Sequence, residues 1–279
     1  MSRARPLGRA TSIVGIVNIT EDSFSDGGRF LAPAAAIERA RRLAADGADV
    51  VELGPASSHP DARRVPADEQ IARLQPVMEA LGDVGRPISV DATDPAVLRH
   101  AARAGASMLN DVRGFPDAGL REELADGEAT LVVVHSLLER ERAERNEATP
   151  EAVLASIDAF FGRRLEELAA AGIAERRIVL DPGMGFFLGS DPRASIAVLR
   201  RIGELRARFG RPVLVSVSRK SFLRAISGRP LEAVGAATLA AELYAAREGA
   251  DFLRTHDVAA LQDALRVESA LSGGAAGDD

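Results

Sequence analysis

Polar residues capable of chemistry recur along this 279-residue chain, each at the close of a short apolar run. In order they are Asn18, Glu52, Asp91, Asn110 with Asp111, His135, Asp181, Ser218 with Lys220, and Arg254 with His256. Asp91, Asn110 and Asp181 offer carboxylates and an amide, and Lys220 offers a compact cation. A flat ring bearing an amino group, an N–H and a carbonyl needs this mixture of acceptors and donors. Arg254 and His256 suit phosphate, and Asn18 is placed to reach a metal-bound diphosphate. Glu52 and His135 can equally be hydrogen-bonded structural groups. Lys220 stands apart, because the other 34 basic residues are all arginine. A planar guanidinium is wider than an ammonium and does not replace it in a tight pocket.

The elements that must position these groups alternate along the chain. Strands are expected at Ile13–Val17, Val50–Leu53, Ile88–Val90, Ser107–Leu109, Leu131–Val134, Arg177–Leu180, Val213–Val217 and Asp251–Arg254. Helical periodicity fills the intervals, as at Ala34–Ala45, Asp68–Leu81 and Pro150–Ala171. Gly47, Gly105, Gly172 and Gly249 stand where helices should stop before the next strand. Eight strand–helix units in a chain of this length favour a closed (β/α)₈ TIM barrel over a doubly wound open sheet. In such a barrel the polar groups at the C-terminal strand ends face one pocket, with phosphate commonly held around strands seven and eight.

Composition narrows the function class. Net charge is −6, which opposes general nucleic-acid binding, where a basic face supplies most of the affinity. There is no cysteine, hence no disulfide framework and no thiolate metal site. No apolar run approaches membrane-spanning length and the Arg-rich start lacks a secretory apolar stretch, so the expected location is cytoplasmic. One domain is expected over residues 12–271, with disordered segments at 1–11 and 272–279.

Several motifs carry a family resemblance. Gly15-Ile-Val-Asn18-Ile-Thr20-Glu21-Asp22-Ser23-Phe24-Ser25-Asp26-Gly27-Gly28 resembles the first signature of dihydropteroate synthases. Ser89-Val-Asp91, Asn110-Asp111, Asp181-Pro182-Gly183-Met184-Gly185-Phe186, Ser218-Arg219-Lys220-Ser221 and Arg254-Thr255-His256-Asp257 follow in the family's order. The resemblance implies a homodimeric enzyme that condenses a dihydropterin diphosphate with p-aminobenzoate and uses Mg²⁺. Carried over by position, it implies that Asp91, Asn110, Asp181 and Lys220 hold the pterin. Asn18 would contact Mg²⁺ and the diphosphate, with Arg254 and His256 completing the diphosphate site. Phe24, Ser58, Phe186, Ser218 and Lys220 would line the p-aminobenzoate side. Of these groups, Lys220, Asp91, Asp181, Arg254 and His256 form the expected catalytic set.

Some positions depart from the housekeeping pattern. Glu21 stands where proline is usual, and Gly54-Pro55-Ala56-Ser57-Ser58-His59-Pro60-Asp61 replaces a loop that normally carries an arginine. His59 occupies that arginine's place, with Arg63 or Arg64 as substitutes nearby. Phe187-Leu188 replaces the usual Gly-Lys. These departures are similar to the sulfonamide-resistant Sul-type members, and Phe187, with Met184 or Leu188, is the expected wall against the drug. Two competing readings remain: a methyltetrahydrofolate-binding barrel of a corrinoid methyltransferase, and a pterin-binding homologue without synthase activity.

Overall fold

The computed structural model of the protein describes residues 11–19, 33–57, 62–137 and 148–273. Its strands are β1 (Ser12–Asn18), β2 (Val50–Gly54), β3 (Ile88–Asp91), β4 (Met108–Asp111), β5 (Thr130–Val134), β6 (Ile178–Asp181), β7 (Leu214–Val215) and β8 (Phe252–Thr255). Its helices are α1 (Pro33–Ala45), α2 (Ala67–Ala80), α3 (Pro95–Arg103), α4 (Ala118–Ala125), α5 (Pro150–Ala170), α6 (Pro192–Leu199), α7 (Ile202–Phe209), α8 (Ser221–Ser227), α9 (Gly235–Arg247) and α10 (Val258–Leu271). Every strand pairing is parallel, in the order β6-β5-β4-β3-β2-β1-β8-β7. The remaining seam is joined by a parallel bridge between Leu180 and Val213, with Leu180 N–H donating to Pro212 O at 2.9 Å. The expected TIM barrel is therefore what the chain forms.

Local chemistry explains the boundaries. Asp94, Asp117, Thr149, Asp191 and Asp257 each accept a backbone N–H at the start of a helix, which satisfies donors that the first turn leaves orphaned. Gly47, Gly105, Gly172 and Gly249 adopt φ between 86° and 101°, a region costly for residues with a Cβ. The expected strand Val213–Val217 is shorter than its apolar pattern, because the chain turns out of the sheet after Val215 to form the loop carrying Ser218 and Lys220.

Two cores result. A shell of Leu, Ile, Val and Ala packs the helices onto the strands. A smaller cluster contains Val14, Val50, Met108, Val132, Val179 and Leu214. These six come from six strands at one side-chain parity, the one that points into the barrel. Two residues further up, that layer turns polar on β2, β4 and β6 and just past β7, at Glu52, Asn110, Asp181 and Ser216.

Candidate active site

That period of two builds the site. Two or four residues above the inner apolar layer stand Asn18, Glu52, Asn110, Asp181, Ser216, Ser218, Arg254 and His256, with Asp91 two above Ser89 on β3. Register keeps them level, since Asp91 pairs with Asn110 across β3 and β4, and Val134 with Asp181 across β5 and β6. A cavity of about 390 Å³ opens there, and its walls include Asn18, Asp91, Asn110, Asp181, Phe186, Ser218, Lys220, Arg254 and His256. Phe24, Ser58 and His59, the other residues named from sequence, lie outside the described residues.

At the cavity floor Glu52 is fully buried. Its Oε2 accepts from Ser89 Oγ and Asn110 Nδ2, each at 3.1 Å. Its Oε1 accepts from Arg254 Nε, while Arg254 Nη2 donates to Asp91 Oδ2 at 2.8 Å. Arg254 is thus held down by two carboxylates rather than standing loose at the rim. Asn110, with its amide N–H committed to Glu52, keeps a buried Oδ1 with no partner among the described residues. An orphaned buried acceptor beside a cavity marks where a ligand N–H belongs.

Burial and neighbouring charges shift several of these groups. Burial raises the Asp91 carboxyl, offset by Arg254. Burial likewise lifts Asp181 to about 6, although the Gly183 N–H, which donates to its Oδ1 at 2.7 Å, pulls the other way. Lys220 falls to about 8, first from burial and then from the charge of Arg254. Its ammonium lies 4.5 Å from the Phe187 ring centre and 5.3 Å from that of Phe186, within cation–π range. The two rings meet edge to face at 4.7 Å. His256 is driven well below its usual value by burial and by Arg219, Arg254, Lys220 and Arg39.

Loop geometry sets these side chains. Gly183 has φ 76°, and a Cβ there would fall 2.4 Å from the His135 carbonyl oxygen, so the Asp181-Pro182-Gly183 turn excludes any larger residue. Arg219 has φ 60°, and its N–H donates to Thr238 Oγ1 on α9 at 3.2 Å, which holds the turn presenting Lys220.

The two strand-end residues of opposite parity face away from the cavity. Asp111 accepts from the N–H groups of Arg113 and Phe115 at 2.9 and 2.8 Å, shaping the turn after β4. His135 contacts Ser156 Oγ on α5 at 3.1 Å and Pro182 O at 3.2 Å. Arg63 pairs with Glu69 at 3.1 Å on the outer surface. Of the three residues expected to wall off the drug, Phe187 lines the cavity, whereas Met184 and Leu188 are core residues. Sequence reading missed Ser216, Arg219, Ser221, Arg224 and Leu231 as cavity residues. Ser216 was reachable from its two-residue offset to Ser218.

A family model for pterin binding enzymes matches residues 14–256. The dihydropteroate synthase type-2 of Escherichia coli is 56% identical over 265 residues, covering 95% of this chain and 97% of that protein. The type-1 protein of Pseudomonas aeruginosa is 44% identical over 262 residues, 94% of each. Among solved structures, the Xanthomonas albilineans dihydropteroate synthase with 4-aminobenzoic acid superposes with a TM-score of 0.84 at 37% identity. The match covers 95% of this chain and 94% of that one. A match of this length and identity, over a barrel of the same shape, means that the chain belongs to the dihydropteroate synthase family of pterin-binding enzymes.

Proposed function

We propose that the cavity joins p-aminobenzoate to 6-hydroxymethyl-7,8-dihydropterin diphosphate, giving 7,8-dihydropteroate and pyrophosphate, and that it does so while rejecting sulfonamides. The observation that carries the synthase reading is the convergence of Asn110 Oδ1, Asp181 and Lys220 on one cavity with Arg254 and His256. Asn110 Oδ1 and the Asp181 carboxylate accept from the amino and N–H edge of the pterin. Lys220 donates to its ring nitrogen or carbonyl, and Asp91 completes the anionic side.

The bond from the hydroxymethyl carbon to the diphosphate oxygen breaks, and the electron pair leaves with pyrophosphate. The neutral aniline nitrogen of p-aminobenzoate then forms a bond to that carbon and gives up a proton. Aniline is already a nucleophile, so no strong general base is required. Positive charge that develops on the pterin is stabilised by the buried carboxylates of Asp181 and Asp91, while Arg254 and His256 receive the leaving group. Asn18 lines the cavity, and no cluster of three His, Asp or Glu suited to a metal occurs among the described residues. Asn18 is the residue that would hold a Mg²⁺ accompanying the diphosphate, through its side-chain oxygen, the donor type that ion prefers. Bound there, Mg²⁺ would neutralise charge on the leaving group.

Phe187 supports the drug-rejecting part. It lines the cavity beside Phe186 and Lys220, on the side given to p-aminobenzoate. A tetrahedral sulfonyl group is bulkier than a planar carboxylate, so an added ring discriminates sterically. The reading includes a homodimer in the cytoplasm. Exposed Tyr244 on α9, and Val267 and Leu271 on α10, give two mutually packed helices apolar outer side chains. No helix among the described residues is long and apolar enough to cross a membrane. The test is pyrophosphate release by the purified protein from the pterin diphosphate, with and without p-aminobenzoate, together with rescue of a synthase-deficient bacterium on folate-free medium containing sulfamethoxazole. Absence of p-aminobenzoate-dependent release would refute the synthase reading; rescue only without the drug would refute the resistance.

A further inference from the structure

Ser218 and His256 leave neighbouring strands at the same inward parity, and their side chains meet. Ser218 Oγ lies 2.9 Å from His256 Nδ1. The backbone N–H of His256 also reaches Ser218 Oγ, at 3.2 Å. A backbone N–H can only donate, so Ser218 Oγ is the acceptor in that second contact. With Nδ1 bare, the one hydroxyl proton goes to Nδ1 and Oγ both accepts and donates. With a proton on Nδ1, Oγ would accept twice from one residue and its own proton would need a further acceptor. A charged imidazole would instead present two N–H groups. The cations around this ring, Arg219, Arg254, Lys220 and Arg39, oppose that charge. Arg39 Nη2 also donates to the His256 carbonyl oxygen at 2.5 Å, which keeps one of those charges fixed beside it. A neutral ring has a single N–H, and with Nδ1 bare that proton resides on Nε2.

We propose that Ser218 is a positioning residue that locks His256 in the neutral Nε2–H tautomer, so that His256 meets the departing diphosphate as a hydrogen-bond donor and not as an acid. Phosphate oxygens only accept, so the opposite tautomer would turn a lone pair towards an anion. The inference deepens the diphosphate role given to His256 above and rests on it. Ser218 thereby acts on the pterin diphosphate through another residue, in addition to any contact with p-aminobenzoate.

The test is nitrogen NMR of the full-length protein labelled with ¹⁵N at its four histidines, with the His256→Asn variant identifying the His256 signals. The expected wild-type result is a protonated Nε2 and a bare Nδ1. Ser218→Thr, which keeps the hydroxyl, should retain that pattern. Ser218→Ala should move both nitrogen shifts towards the average of exchanging tautomers. It should also lower kcat/KM for the pterin diphosphate about tenfold, the worth of one ordinary hydrogen bond, with less effect on the KM for p-aminobenzoate. A proton on Nδ1 in the wild type overturns the proposal. So does a Ser218→Ala protein with the wild-type tautomer. A changed tautomer with unchanged kinetics upholds the tautomer lock and refutes the diphosphate role of His256.

Discussion

The ammonium of Lys220 lies 4.5 Å from the centre of the Phe187 ring, so the chain's single lysine and a ring at an altered family position form one wall. In the proposed reading, removing that ring opens the p-aminobenzoate side and leaves Asp91 and Asp181, the carboxylates assigned to the pterin, untouched. Phe187→Gly is therefore expected to bind sulfamethoxazole about a hundredfold more tightly, equivalent to relieving a clash of about 3 kcal/mol. The KM for p-aminobenzoate should change far less. Inhibition constants measured on purified wild type and variant decide the point; equal drug affinity would mean that Phe187 only packs the loop.

Glu52 makes no contact that requires a substrate, yet it anchors the floor through Arg254, Ser89 and Asn110. Glu52→Ala leaves a largely buried guanidinium with Asp91 as its one remaining carboxylate partner among the described residues. Breaking one side of a buried ion pair costs about 3–5 kcal/mol, so a loss near the lower end is expected because Asp91 stays. Urea unfolding measures it. Glu52→Gln, which keeps an acceptor for Ser89, should lose less than the alanine variant. The reverse order would show that the retained acceptor and side-chain volume contribute little.

The period of two that organises the site is legible in the sequence once one inward residue per strand is known. Asp181 faces the cavity because it stands two residues above Val179. Asn110 and Asp111 differ by one position and have opposite roles, and reading strand ends as undivided clusters merges them. His135 is excluded in the same way, standing one residue above the inward Val134. What the sequence does not carry is long-range pairing. Arg254 with Glu52, 202 positions apart, and Arg39 with the His256 carbonyl, 217 apart, meet only because the barrel closes. Nothing in the local pattern of either arginine marks its partner, and so Arg254 reads as a free rim cation until the fold is known. The short β7 has a related cause, since an apolar run continues through Val217 after ladder hydrogen bonding has ended at Val215.

Asp181 and Lys220 set limits on activity with pH. In the proposed reading, the binding form has Asp181 ionised, to accept from the pterin, and Lys220 charged, to donate. Asp181 sits at about 6 and Lys220 at about 8. Activity should therefore fall below about pH 6 to 7 as Asp181 and the similarly raised Asp91 take protons, and above about pH 8 as the ammonium loses one. The expected kcat/KM profile for the pterin diphosphate is a bell between those limits. In Lys220→Arg the guanidinium remains charged, so the alkaline fall should vanish although the rate drops. An alkaline limb that survives this substitution would assign it to another group.

Glu242 offers a stability test away from the substrate. It is buried on α9, where the Thr255 hydroxyl bonds to its carboxyl, and its Oε1 has no partner among the described residues. Burial raises its pKa from 4.5 to about 8; the Thr255 bond opposes the shift and the charge of Asp257 adds to it. Below about pH 4.5 the carboxyl is protonated in folded and unfolded chains alike, and its full contribution to stability is present. As pH rises to about 8 the unfolded chain ionises while the folded one keeps its proton, so that contribution is progressively lost. Above about 8 no further loss follows. Glu242→Gln keeps the size and a carbonyl acceptor but has no proton to exchange. The gap in unfolding free energy should therefore move in favour of the variant by up to about 1.4 kcal/mol per pH unit across that window. Taking the difference between the two proteins cancels the similar behaviour of Asp91, Asp111 and Asp181. Urea unfolding at pH 5, 7 and 9 reads it, and a gap independent of pH would mean that Glu242 is ionised in the folded protein.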